Sequence, residues 1–215
     1  MCVNMENNEV EILGTVRTKP YLSHEIYGEG FYCFTVDVKR LSDISDSLCV
    51  TVSERLMGDI SFEPGTVLHI HGQFRSYNNY GDGERKLMLT VFVKDIEECD
   101  EDEENINYIY LNGFVCKPPA YRTTPFGREI TDVLLAVNRQ YNKSDYIPCI
   151  AWGRNARFAS NLNVGDNIKV WGRVQSREYQ KKISDDETVS RIAYEISVSK
   201  LETSSESETS VASAE

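Results

Sequence analysis

No apolar run in this 215-residue sequence approaches 18 residues, so no segment reads as a transmembrane helix. The opening stretch MCVNMENNEVEI has neither a basic nor an apolar region, so it does not read as a signal peptide, and a cytoplasmic location is expected. The six cysteines (Cys2, Cys33, Cys49, Cys99, Cys116 and Cys149) form no C-x-x-C pair, and none lies near a histidine at metal-ligand spacing. They read as reduced, mostly buried small hydrophobes. Histidine is scarce, at three residues. His69 and His71 stand two apart on one expected strand and so share a face. The sequence shows no third ligand, and both read as outward polar positions. Asp185, Asp186 and Glu187 crowd a hairpin tip with no base nearby and read as a solvated turn. Lacking clustered carboxylates or a metal set, the chain is not expected to be an enzyme or to carry a metal or cofactor.

Disorder is excluded over most of the chain by its 40% hydrophobic content. The formal net charge of −11 argues against a nucleic-acid partner until it is resolved along the chain. Residues 1–100 hold nine Lys+Arg against seventeen Asp+Glu, a net of −8, and EDEE at 101–104 adds −4. Residues 106–202 reverse the balance with fourteen basic against ten acidic residues, a net of +4, and the tail 203–215 carries −3. The order is acidic half, acidic linker, basic half, acidic tail.

The two halves repeat each other. ILGTVRTKP (12–20) falls on LNGFVCKPP (111–119), and FTVDVKR (34–40) falls on VLLAVNR (133–139), both at an offset of 99. EPGTVLHIHGQFRS (63–76) falls on NVGDNIKVWGRVQS (163–176) at 100, and LTVFVKDIE (89–97) on YEISVSKLE (194–202) at 105. Four blocks in one order mark a tandem duplication of a domain of roughly 100 residues. The second copy carries about five extra residues between Ser176 and Tyr194.

Each copy reads as short strands. Phe34, Val36 and Val38 alternate with Thr35, Asp37 and Lys39; Leu68 and Ile70 with His69 and His71; Ile168 and Val170 with Lys169 and Trp171. ERLMGDISF (54–62) and RNARFASNL (154–162) break the alternation and suit a short helix each. Strand, strand, strand, short helix, strand, strand is the order of an OB-fold. The expected architecture is all-β, with two tandem five-stranded OB-fold barrels. The first spans 1–100, an acidic linker 101–107, the second 108–202, and a disordered Ser/Glu-rich tail 203–215.

The stretch YIPCIAWGRNARFASNLNVGD (146–166) sets rings beside guanidinium groups with no acid or base before its final turn. Together with LNGFVCKPPAYRTTPFG, LLAVNRQY, VGDNIKVWGRVQSREY and AYEISVSKLE, it resembles the bacterial single-stranded DNA-binding proteins, continuously over 108–202 and weakly over 10–98. The resemblance implies sequence-independent binding and protection of single strands in replication, recombination or repair, with base-stacking rings at Tyr141, Tyr146, Trp152 and Tyr179 and phosphate contacts at Arg122, Arg154 and Arg177. Arg128, Arg139, Lys143, Arg157, Lys181 and Lys182 join the basic set from their position near those rings. Stacking is indifferent to sequence because every base has a π-face, and Lys and Arg release counterions, so neither role needs acid–base chemistry. The resemblance also implies a nucleoid-associated homodimer presenting four barrels.

The two copies differ at the ring positions. By the offset, Tyr141 meets Leu41 or Ser42, Tyr146 meets Asp46, Trp152 meets Val52 and Tyr179 meets Tyr80 or Asn79, so the first barrel is expected to be structural or partner-binding. The competing reading gives it a second face built from Tyr27, Phe31, Tyr32, Tyr77 and Tyr80. Phe158 reads as core, and Trp171 as a subunit or inter-domain contact. The tail ends SVASAE, without the apolar Pro-Phe tip by which the family docks replication and repair proteins. A protein-interaction scaffold, or a primosomal or mobile-element accessory on the same fold, remains an open alternative.

Overall fold

The structure, a computed structural model, describes residues 7–40, 44–79, 86–100, 105–182 and 188–204; at 78, 79, 86, 181 and 182 it describes the backbone alone. In the first half, β1 (Asn8–Val16), β2 (Tyr21–Ile26), β3 (Glu29–Lys39), β4 (Ser45–Ser53), α1 (Glu54–Met57), β5 (Val67–Asn79) and β6 (Lys86–Cys99) follow in order. The second half repeats them as β7 (Asn107–Val115), β8 (Ala120–Thr123), β9 (Glu129–Arg139), β10 (Lys143–Trp152), α2 (Arg154–Ala159), β11 (Asn167–Lys182) and β12 (Thr188–Thr203). The alternations read from sequence hold: Phe34, Val36, Val38, Leu68, Ile70, Ile168 and Val170 are buried, and their neighbours face outward.

Each half closes on itself in the order β1-β3-β4-β6-β5-β1, with β7-β9-β10-β12-β11-β7 as its copy. All pairs are antiparallel except β4 with β6 (Val50 opposite Val91) and β10 with β12 (Cys149 opposite Ile196). Closure is short, through Thr15 opposite Asp37 in one barrel and Phe114 opposite Ala136 in the other. This is the partly open five-stranded OB barrel expected from the strand order. Beyond that wall the structure adds one strand per half, β2 and β8, which pair only with β3 and β9. Every residue of β2 and β8 is exposed, so neither has the period-two burial that would have announced it.

Two glycines set the barrels' curvature. A Cβ at Gly72 would lie 2.2 Å from the Phe92 carbonyl oxygen, and one at Gly172 2.3 Å from that of Ser197. The ladder shifts register beside each of them, between His71 and Gly72 and between Trp171 and Gly172. A bulge with a glycine at the close approach lets a long strand bend around the barrel.

The two barrels share one sheet. β1 pairs antiparallel with β7, Asn8 opposite Leu111, Val10 opposite Ile109 and Ile12 opposite Asn107. At an offset of 99 these partners exchange roles, so the junction has local two-fold symmetry. The side chains obey it too. Buried Asn8 donates to the Phe74 carbonyl and accepts from the Phe74 N–H, both at 2.8 Å; Asn107 does the same with Val174 at 2.9 Å. The fully buried carboxylates of Asp46 and Asp145 each cross to the other barrel. Asp46 accepts from the Ser176 N–H at 2.7 Å and Asp145 from the Ser76 N–H at 2.7 Å.

Candidate nucleic-acid interface

Strand β10 builds the centre of the site. Its inward residues Asp145, Ile147, Cys149 and Ala151 are buried, which leaves Tyr146, Pro148, Ile150 and Trp152 on the other face. Tyr146 is 46% exposed and Trp152 is 37% exposed, six residues apart along one outward row. At the rise of a strand that separates them by about 20 Å, room for several nucleotides. Tyr146 is anchored from below: its N–H donates to the Ser76 hydroxyl of the other barrel at 2.7 Å.

Tyr141 sits at the tip of the β9–β10 turn, 90% exposed, at φ 61°. A tyrosine in the left-handed region is uncommon and aims its ring outward from the hairpin. Tyr179 is half-buried on β11, opposite Arg191, with the Arg177 guanidinium 5.8 Å from its ring centre. Beside Trp152 a shallow cavity of about 490 Å³ is lined by Trp152, Arg154, Asn155, Phe158, Ser199 and Leu201. Phe158 therefore corrects the core expectation. The buried side of α2 is made by Ala156 and Ala159, so Phe158 faces outward, about half exposed.

The cations fall into two groups. Arg128, Lys143 and Arg154 are exposed and carry no ion pair among the described residues. Four others are held by carboxylates. Arg122 pairs with Asp132 at 3.0 Å, Arg157 with Glu129 at 2.6 Å, Arg139 with buried Asp145 at 3.5 Å, and Arg177 with Glu195 at 3.7 Å. Arg139 thus serves the barrel junction. Glu129 also accepts from the Tyr121 hydroxyl at 2.7 Å, and the Arg157 and Tyr121 hydrogen bonds hold its carboxyl below the usual range. Lys181 and Lys182 lie on the β11 backbone, but their side chains are outside the described residues, as is the Asp185–Glu187 turn.

Sequence reasoning missed Phe126. It is 93% exposed at the β8–β9 turn, where Gly127 has φ 75° and the Gly127 N–H donates to the Thr124 carbonyl. The stretch TTPFG carried the signal, a Pro–Phe–Gly turn with the ring at its tip.

The first barrel keeps this frame with other side chains. Thr35 pairs with Cys49 as Leu134 pairs with Pro148, so the offset on this strand is 99. Ser47 and Ser53, not Asp46 and Val52, stand where Tyr146 and Trp152 stand. Neither position carries a ring. Ser47 binds Asp37, and Ser53 caps α1 by accepting from the Arg55 N–H. Of the rings weighed for a second face, Phe31 is buried against Phe92 and Tyr32 packs on the core. Tyr27 and Tyr77 are exposed, and Tyr80 lies outside the described residues. Tyr27 occupies the turn position of Phe126 and is fully exposed. Cysteines are less buried than expected: Cys33 and Cys149 are buried, while Cys49, Cys99 and Cys116 are intermediate. Trp171 tilts against Tyr110 at 5.2 Å, with the Lys200 ammonium 4.5 Å from its ring centre, and Tyr110 faces Glu9 across the barrel junction. Among the described residues no helix is long and apolar enough to cross a membrane.

Residues 106–203 match the model of the single-strand binding protein family. Single-stranded DNA-binding protein 1 of Staphylococcus aureus is 37% identical over 84 residues, 36% of this chain and 50% of that protein. Single-stranded DNA-binding protein A of Bacillus subtilis is 34% identical over 84 residues, 36% of this chain and 49% of that protein. The chain thus spans about half the length of these curated relatives. The crystal structure of wild-type single-stranded DNA binding protein from Thermus aquaticus superposes with a TM-score of 0.76 at 21% identity, covering 95% of this chain and 96% of that one. At that identity the likeness establishes the fold across both barrels.

Proposed function

We propose that this chain, whose second barrel matches the single-strand binding protein family, binds single-stranded DNA without sequence preference and shields it during replication, recombination or repair. The observation that carries the reading is the outward row of β10. It presents Tyr146 and Trp152 as exposed rings, with Tyr141 and Phe126 on flanking turns and Arg128, Lys143 and Arg154 as uncommitted cations. Rings supply stacking and cations supply phosphate neutralisation. The first barrel supports the second through the shared sheet and contributes structure or a partner surface. Two such chains form a homodimer with four barrels, acting at the nucleoid.

Titration with oligo-dT tests this, following intrinsic fluorescence at two salt concentrations with duplex DNA as control. The chain has two tryptophans, so a W171F background leaves Trp152 as the reporter. Quenching by single strands alone, weakened by salt, is expected. Absence of quenching and of retention at low salt makes the barrels a scaffold. Changing Tyr27 and Tyr77 to Ala together should leave affinity unaltered; a loss of about 1 kcal/mol or more gives the first barrel a strand-binding face.

A further inference from the structure

We infer that the outer face of the first barrel holds a binding site for a divalent transition-metal ion of zinc type, with His69, Glu97 and Cys99 as ligands and Glu11 as the carboxylate behind the histidine. The site lies on the sheet surface formed by β1, β5 and β6, separate from the β10 ring row.

One imidazole stands between two carboxylates. His69 Nε2 lies 2.9 Å from Glu11 Oε1, and His69 Nδ1 lies 3.0 Å from Glu97 Oε1. A neutral imidazole has one N–H, so it can donate to one of these oxygens and not to both. The second contact sets a lone pair against an anionic oxygen unless a cation stands there. That cation is either a second proton or a metal ion.

Cys99 favours the metal. A ring nitrogen of His69, a carboxylate oxygen of Glu97 and the Cys99 sulfur all lie within 4.8 Å of one another. The ladder places them so: His69 is directly opposite Glu97, and Cys99 is two residues along β6 on the same face. An imidazolium needs no sulfur beside it. A borderline-soft ion takes just such a set of nitrogen, sulfur and carboxylate oxygen, with the fourth position left to water. The Glu11 contact then has a definite part. A metal-bound histidine characteristically donates its remaining N–H to a carboxylate, which fixes the ring and its tautomer. With the metal on the Nδ1 side, Nε2–H donates to Glu11. His71, the other histidine of the strand, is exposed and outside the set.

The second barrel is an internal contrast. Its corresponding positions are Tyr110, Lys169, Glu202 and Ser204, and Lys169 faces Glu202 as His69 faces Glu97. Lysine, serine and tyrosine replace histidine, cysteine and glutamate there, and Glu202 pairs with Lys200 of its own strand at 2.7 Å. The site belongs to the first copy alone.

The test is cobalt titration of the metal-stripped full-length chain, reading thiolate-to-cobalt charge transfer, followed by displacement with zinc. One equivalent should saturate the band. Cys99→Ser should abolish it, His69→Gln should weaken binding at least tenfold, and Glu11→Gln should weaken it by about 10–100-fold. Zinc should also slow alkylation of Cys99 in the unsubstituted chain without slowing that of Cys116, a readout that needs no variant to fold. No charge-transfer band, a band that survives in Cys99→Ser, or equal alkylation of Cys99 with and without zinc overturns the proposal. Circular dichroism and oligo-dT binding of the variants separate loss of metal from loss of fold.

Discussion

At the scale of single residues, exposure and ion pairing divide side chains that composition treats alike. Trp152 ends β10 with its ring beside Arg154 and Phe158, so Trp152→Ala should weaken binding to all single-stranded sequences by about 1–3 kcal/mol. Fluorescence anisotropy with dT, dC and mixed oligonucleotides checks the uniformity; loss of folding instead would make the ring a core residue. Arg154→Ala should lower the salt slope of binding by about 0.7, the value for one phosphate contact on a single strand. Arg157→Ala should change it less, because Glu129 already engages that guanidinium at 2.6 Å. The exposure of Tyr141, Tyr146 and Trp152 was legible through the resemblance and the local pattern. The commitments of Arg122, Arg139 and Arg157 were not, because each partner comes from another strand whose register the sequence does not state. Phe158 was misread for a related reason, since in a six-residue helix one turn decides which face is buried.

Asp46 and Asp145 show how one network, copied twice, acquires two electrostatic characters. Burial raises the carboxyl of Asp46, but the Arg40 hydrogen bonds at 2.6 and 2.7 Å and the Ser176 N–H outweigh it and hold the carboxyl low. Burial also raises Asp145, and there the Ser76 N–H and the more distant Arg139 do not compensate, so its carboxyl stays high. The signs are opposite. Asp46 stabilises the fold above the ordinary carboxylate pKa, and that contribution is lost as pH falls through its depressed value. Asp145 favours the fold when protonated, and that contribution is lost as pH rises through its elevated value. Asp46→Asn should therefore cost about 1.5–3 kcal/mol at neutral pH by urea unfolding. Asp145→Asn should cost less. The acid-side loss of stability should shrink in Asp46→Asn; equal costs for the two variants would show that charge is not what separates them.

At the scale of elements, alternation revealed the barrel wall and missed what lies off it. β3, β5 and β11 announce themselves because one face is buried, while β2 and β8 lie outside the wall and carry no burial rhythm. The spacing of Gly72 and Gly172 in the repeat was visible, but its cause is the close approach of β6 and β12 backbones at a bulge. Gly172→Ala should accordingly destabilise by about 1–3 kcal/mol or more, since the intruding Cβ meets a carbonyl that belongs to the ladder and cannot swing away. A urea midpoint unchanged from that of the native chain would mean the bulge opens at no cost.

At the scale of the molecule, duplication produced a pseudo-dimer within one chain. The β1–β7 pairing lies on a local two-fold axis, and about it stand the two Asn clasps, Asn8 and Asn107, and the two Asp crossings, Asp46 and Asp145. That freed the copies to diverge on their surfaces while the junction held both to one frame. One kept rings and uncommitted cations; the other became acidic, put serines at the ring positions, and gathered histidine, glutamate and cysteine on its back. The outer face of β7 and β11 also carries Tyr108, Tyr110 and Trp171, and Tyr108 is exposed. An aromatic patch on this face fits a second copy of the same face, as the expected homodimer requires. Light scattering should then give about twice the chain mass of 24.5 kDa. Tyr108→Glu should shift it toward the single-chain value without disturbing the β10 row, because Tyr108 stands on β7, which does not pair with β10. A native mass near 24.5 kDa would leave the internal pseudo-dimer as the whole assembly.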